Sequence, residues 1–232
     1  MNFCGARLMS HIMELNIIPV LIPVVLYCFF ITLTTITRVL AFDEIGVIYG
    51  HSHFQPNKED IMKERTGLVS MKGNPVTLLG DEVKVGRKAP AFQAVDNDLK
   101  PYTFEPGQDK ITILASVPSL DTPVCDMETR RFNQEAAALG KDVRILTISM
   151  DLPFAQKRWC AAAGVESVKT LSDHRDASFG LAYGLLIKEV RLLARAVLVL
   201  DKEGIIRHME LVEEVGHEPD YAAVLEAVKL NY

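Results

Sequence analysis

The chain has 232 residues, 49% hydrophobic and 24% charged, with a formal net charge of −5. That length and composition suit one core-forming domain with an appendage, and the acidic balance without a basic stripe argues against a nucleic-acid partner. Its four cysteines, Cys4, Cys28, Cys125 and Cys160, lie too far apart for a disulfide-stapled miniature fold, and no Cys-x-x-Cys or Cys/His cluster suggests structural zinc.

Residues 1–61 differ in character from the rest. From Ile17 to Thr37 the chain carries no charge, a run long enough to span a bilayer even with Pro19 and Pro23 inside it. The basic flank of a cleaved signal is poor, so a signal anchor is one reading. The other is a leader upstream of a start at Met62 or Met71. The folded domain is expected over residues 62–232. A cytoplasmic location is expected, with a membrane-anchored form through residues 17–37 as the alternative.

Within the domain, two short apolar runs around Lys72-Gly73-Asn74 predict a hairpin. The turn-rich Val85–Phe92 leads into an extended segment, because Pro90 keeps Ala89 out of helix. Leu99–Phe104 is another short strand. Ile111–Val117 is continuously apolar, as a strand buried on both faces requires. A helix follows over Val124–Leu139 and stops at Gly140. Val143–Ser149 is a second buried strand. Leu152–Gly164 is a second helix, with Asp151 as its expected N-cap. A short strand in residues 168–173 and a short helix over Asp176–Leu185 come next. Residues 194–201 and 204–212 form a hairpin about Lys202-Glu203-Gly204, and a helix led by Pro219 closes the chain. A βαβ unit followed by an antiparallel hairpin and a helix implies an α/β architecture: a mixed central sheet flanked by helices, thioredoxin-like, with an N-terminal β-hairpin.

The residue that asks for an explanation is Cys125. Thr122 is a natural N-cap and Pro123 then occupies the first helical position, where its missing N–H is harmless. Cys125 falls in the first turn, where backbone N–H groups lack intrahelical partners and the helix dipole favours a thiolate. The preceding strand delivers this turn to the carboxyl end of the sheet, where open α/β sheets place their ligands. A buried, inert cysteine beside an ordinary Thr-Pro cap fits the same residues.

Pro118, Thr122 and Cys125 spell Pro-x-x-x-Thr-x-x-Cys, which resembles the peroxidatic motif of peroxiredoxins. The longer "SVPSLDTPVC", with "VGRKAPAF" before it and "DLPFAQKRWC" after it, is similar to the thiol peroxidase branch from about Met71 onward. The resemblance implies that Cys125 attacks the peroxide and becomes a sulfenic acid. Thr122 would hydrogen-bond the sulfur and the peroxide, and Pro118 would wall the pocket. A distant arginine would sit over the thiolate; "LLARAVLVLD" makes it Arg195, ahead of Arg130 and Arg131 on the Cys125 helix. Cys160 would resolve the sulfenic acid as an intramolecular disulfide, which needs local unfolding if the cysteines lie on separate helices. No metal, haem or flavin is implied. Thioredoxin is the implied reductant, peroxides are the substrates and a homodimer is the implied assembly, with the region of Phe179 and Tyr183 contributing to its face.

Three other functions fit the residues: a redox relay that passes oxidation to a partner, a non-catalytic thioredoxin-like interaction domain, and a hydrolase pairing Cys125 with His174, His208 or His217.

Overall fold

The structure is a computed structural model that describes residues 62–232. The uncharged segment 17–37 and the rest of the extension lie outside the described residues. Among those described, no helix is long and apolar enough to cross a membrane.

Strands β1 (Glu64–Met71) and β2 (Asn74–Leu79) pair antiparallel through the turn at Lys72-Gly73, both at positive φ. Met71 is the last residue of β1, so a domain beginning there would lack that strand. Strands β3 (Phe92–Val95) and β4 (Pro101–Phe104) form a second antiparallel pair. Then come β5 (Ile111–Ser116), helix α1 (Pro123–Leu139), β6 (Val143–Ser149), helix α2 (Pro153–Ala163) and β7 (Lys169–Ser172). The short α3 (Ser178–Ala182) and two-residue β8 (Leu186–Ile187) lead to β9 (Ala196–Leu200), β10 (Ile206–Leu211) and α4 (Tyr221–Lys229).

Seven strands form one sheet in the order β10-β9-β5-β6-β7-β3-β4. The β5–β6 and β6–β7 pairs are parallel and the remaining pairs antiparallel. This is the expected mixed sheet. A separate three-stranded sheet joins the hairpin to β8, which the sequence did not announce because two residues carry no alternation.

Strand periodicity divides the core. On β5, Ile111, Ile113 and Ala115 face one side while Leu114 faces the other; on β9, Val197 and Val199 oppose Ala196, Leu198 and Leu200. The first side is covered by Cys125, Phe132 and Leu139 of α1, Trp159 of α2, and Tyr221, Val224 and Val228 of α4. The second is covered by the N-terminal hairpin and by Phe179 and Tyr183, which stack at 4.5 Å. Both rings are fully buried in the chain's own core. The short helix that contains Phe179 and is capped by Tyr183 covers Ser178–Ala182 rather than the longer expected span, cut by Gly184 in the left-handed region, where a Cβ would meet the Asp81 carbonyl at 2.4 Å.

Candidate functional site

Strand β5 is buried along its whole length and ends at Ser116, whose hydroxyl donates to the Ala194 carbonyl at 2.6 Å. One residue further, Val117 N–H donates to Ile148 on β6 at 3.0 Å. The chain then leaves the sheet at Pro118 and re-enters helix at Pro123. Thr122 occupies the N-cap position of α1 with extended backbone, and Pro123 begins the helix, as the sequence predicts. The Thr122 side chain does not cap, however. Its hydroxyl lies 2.8 Å from Cys125 Sγ and 2.9 Å from the Ser119 carbonyl. A single hydroxyl proton can serve only one of these acceptors at a time. Toward a thiolate it turns to sulfur; toward a thiol it turns to Ser119 and leaves its lone pairs for the S–H.

Cys125 is fully buried, on the apolar stripe of α1 that faces the sheet. Arg195, from the segment leading into β9, reaches across 70 positions of sequence to place Nη2 3.1 Å from the sulfur. The other guanidinium arm, Nη1, pairs with Glu128, and Nε donates to the Val215 carbonyl at 3.0 Å. All three nitrogens of this side chain are therefore held while it is almost wholly out of solvent. Burial works against its charge, but Glu128 and the cysteine together outweigh that and hold the guanidinium charged. Glu128 is fully buried, and burial pushes its carboxyl up to about 7 in spite of Arg195.

A cleft of about 290 Å³ opens above this group. Met71, Pro118, Val124, Leu192 and Val215 make its walls apolar, and Thr122 and Arg195 supply polar atoms. Glu214 fixes the rim by accepting from the backbone of Gly73 and Lys72 and from the Ser70 hydroxyl; these bonds hold its carboxyl down at about 2. The hairpin turn that follows Met71 is thus tied to the loop that carries Val215.

Cys160 lies elsewhere. It is a partly buried free thiol on α2, 3.3 Å from Thr170 Oγ1 and 3.8 Å from Asn97 Nδ2, on a second cleft of about 550 Å³ lined also by Tyr102, Val165 and Lys169. The two sulfurs share none of these polar neighbours.

Other expectations change. Asp151 does not cap α2: the N-cap is Leu152, and the Asp151 carboxylate turns back to accept from the Ser119 hydroxyl and the Leu120 N–H at 2.7 and 2.8 Å. Arg130 and Arg131 do not reach the sulfur, and Arg131 is exposed. Arg130 pairs with Asp126 and donates to the Ala163 carbonyl, and Arg131 lies 3.9 Å from the Tyr221 ring centre. Among the described residues the polar partners of Cys125 are Thr122 and Arg195, and no histidine is one of them. Among the described residues a cysteine–histidine hydrolase has no geometry. Glu128 is the member of the group that sequence reasoning missed. Its signal was present, since it stands one helical turn from Cys125 on the face that the apolar stripe buries.

A helix-covered mixed sheet presenting a buried thiol at a helix start defines a thioredoxin-like thiol protein. The redoxin family model matches residues 84–225. A thiol peroxidase of Halalkalibacterium halodurans is 56% identical over 161 residues, covering 69% of this chain and 96% of that one. One of Bacillus subtilis is 54% identical over the same shares. Among solved structures, a peroxiredoxin-like protein from Aquifex aeolicus superposes with a TM-score of 0.68 at 42% identity, over 72% of this chain and 99% of that one. A Chromobacterium violaceum thiol peroxidase, at 19% identity and TM-score 0.63 over 70% and 95%, shares the fold. The chain belongs to the redoxin family, within its thiol peroxidase branch, and is a peroxidase.

Proposed function

We propose that the chain reduces hydroperoxides through Cys125, resolves the product with Cys160 and is recycled by thioredoxin. The observation that carries this reading is the Thr122 hydroxyl and Arg195 guanidinium converging on one buried sulfur at 2.8 and 3.1 Å. Donors fixed before the reaction stabilise negative charge without reorganising, which is where most electrostatic catalysis comes from.

In the first step the Cys125 thiolate attacks the terminal peroxide oxygen. The S–O bond forms as the O–O bond breaks, and the alkoxide leaves with a proton as alcohol. Arg195 and Thr122 face both the sulfur and the cleft, so they can follow the charge as it moves from sulfur to the leaving oxygen. Pro118 and the other apolar walls keep water from the sulfenic acid. In the second step the Cys160 thiolate attacks the Cys125 sulfur. The disulfide forms, the S–O bond breaks and the oxygen leaves as water. A dithiol then exchanges with the disulfide, gives it two electrons and leaves as a disulfide itself, restoring both thiols. Turnover on such a reductant fits a cytoplasmic location. In this reading residues 62–232 form the catalytic domain. Leu152 and Phe154, 54% and 65% exposed at the start of α2, support a homodimer that covers them.

The test is rapid mixing of the reduced chain with cumene hydroperoxide, read through Trp159 fluorescence, for wild type, Cys125→Ser and Cys160→Ser. A fast phase lost in Cys125→Ser and a slow phase lost in Cys160→Ser are expected, with steady turnover on thioredoxin. A peroxide-insensitive wild type with both thiols still titratable would refute the reading.

A further inference from the structure

A set of contacts outside the peroxide cleft ties the two cysteine-bearing helices together. Asp126 follows Cys125 and Trp159 precedes Cys160 in the chain. The Trp159 indole N–H donates to Asp126 Oδ1 at 2.9 Å. Arg130 Nε lies 3.0 and 2.9 Å from the two Asp126 oxygens, and its Nη1 donates to the Ala163 carbonyl, in the last turn of α2, at 2.8 Å. Its guanidinium stands 5.8 Å from the Trp159 ring centre. Among the described residues, the indole and Nη1 bonds are the side-chain hydrogen bonds that join α1 to α2. Neither Asp126 nor Trp159 is among the polar contacts of either sulfur.

We infer that Asp126 is a positioning residue that governs the resolving step, by latching the Cys125 helix to the Cys160 helix until the helix ends open. This rests on the two-cysteine reading above. A disulfide needs Cα atoms about 5.5–6 Å apart with matched Cβ directions. Cys125 Sγ is held by Thr122 and Arg195, and Cys160 Sγ lies against Thr170 and Asn97. One or both helix segments must leave those partners before S–S bond formation can expel water from the sulfenic acid. Opening either segment at its cysteine moves the adjacent Asp126 or Trp159, so the latch breaks first.

The latch therefore favours the peroxide-ready arrangement over the resolving one. It sets how long the sulfenic acid waits, and while it waits a second peroxide can oxidise it to the sulfinic acid and leave as alcohol. Weakening the latch trades a longer-lived pocket for faster resolution and protection from overoxidation.

The experiment uses the full-length chain, as wild type, Asp126→Ala and Trp159→Phe, with Cys160→Ser as the unresolved control. Each is mixed with cumene hydroperoxide, quenched at intervals, alkylated and read by intact mass for thiol, sulfenic acid, disulfide and sulfinic acid. Trp159→Phe keeps an aromatic ring in the core and the Asp126–Arg130 pair while removing the indole bond and part of the buried ring. Both variants should form the disulfide roughly 3- to 10-fold faster, the factor that one ordinary hydrogen bond commands. Their sulfinic fraction should fall by a similar factor while thiol loss keeps its rate. Disulfide formation at the wild-type rate in either variant overturns the inference alone. So does a parallel fall in thiol loss and disulfide formation, which marks simple damage to the fold. A wild type that goes to sulfinic acid without any Cys125–Cys160 disulfide overturns the inference together with the two-cysteine reading.

Discussion

Arg195 divides its guanidinium between Cys125 and Glu128: one arm lies 3.1 Å from the sulfur and the other is paired with the buried carboxylate. The planar fork makes this possible, because two donors are fixed in direction once the Nε is anchored on Val215. Lysine concentrates its three donors on one nitrogen and cannot reproduce the separate arms that reach Cys125, Glu128 and Val215. Arg195→Lys should therefore lose peroxidase activity nearly as fully as Arg195→Ala, with kcat/KM falling roughly 100- to 1,000-fold, the cost of removing one fixed donor from a developing charge. The check is the second-order rate of thiol loss with peroxide. A lysine variant within a few-fold of wild type would show that charge alone is required.

Thr122 offers a narrower test. Thr122→Val keeps the shape of the helix start and removes the hydroxyl at 2.8 Å from the sulfur. A hydrogen bond to a charged group contributes about 1.5–3 kcal/mol, so the rate of thiol oxidation should fall roughly 10- to 100-fold. Thr122→Ser keeps the hydroxyl and should stay near wild type. Since the hydroxyl makes no helix-capping bond, both variants should unfold at similar denaturant concentrations.

Glu128 links this site to pH. Its carboxyl is raised from the ordinary 4.5 to about 7, first by burial, with Arg195 opposing and Glu210 and Glu218 adding to the rise. Below pH 4.5 the group is neutral in both folded and unfolded chains. Between 4.5 and 7 the unfolded chain releases a proton that the folded one retains, so stability falls as pH rises and the loss is complete above about 7. The gap corresponds to a loss on the order of 3 kcal/mol. Glu128→Gln should remove that slope while keeping an oxygen for Arg195. Asp173, raised by burial to about 6, contributes in the same direction in both proteins and cancels in the difference. Denaturant titrations of the two proteins at pH 4.5 and 7.5 check this, and identical pH slopes would exclude a titrating Glu128.

The sequence was legible where one local pattern has one structural outcome. Thr122-Pro123 starts a helix where that pair is favoured, and the apolar runs of β5, β6 and β9, bounded by turn residues, are interior strands, so the thiol's address followed. Arg195 came from resemblance alone, because nothing local to it distinguishes a residue that will cross 70 positions to a sulfur from one that will meet solvent. The Arg195–Glu128 pairing and the surroundings of Cys160 were beyond reach for the same reason: both are set by which elements the sheet order makes neighbours. Asp151 shows the opposite failure. It stands where an N-cap should stand, and tertiary partners claimed its side chain instead.

That displacement makes Asp151 a support for the site. Its Oδ1 accepts from Ser119 Oγ at 2.7 Å, and its Oδ2 accepts from Leu120 N–H and Ser149 Oγ, each at 2.8 Å. The carboxylate thereby pins the loop between Pro118 and Thr122 to the end of β6. Replacing one oxygen by an amide nitrogen sets a donor against donors. Asp151→Asn should cost about 1–3 kcal/mol of stability, the penalty for leaving such groups unsatisfied. The loop that orients Thr122 should loosen, so peroxide reactivity of Cys125 should drop about 10-fold. Iodoacetamide alkylation of the reduced Cys160→Ser background separates the two effects, because it reads Cys125 exposure without peroxide chemistry. Faster alkylation with slower peroxide reaction is the expected outcome. Unchanged values of both, in a protein that has lost stability, would confine Asp151 to the scaffold.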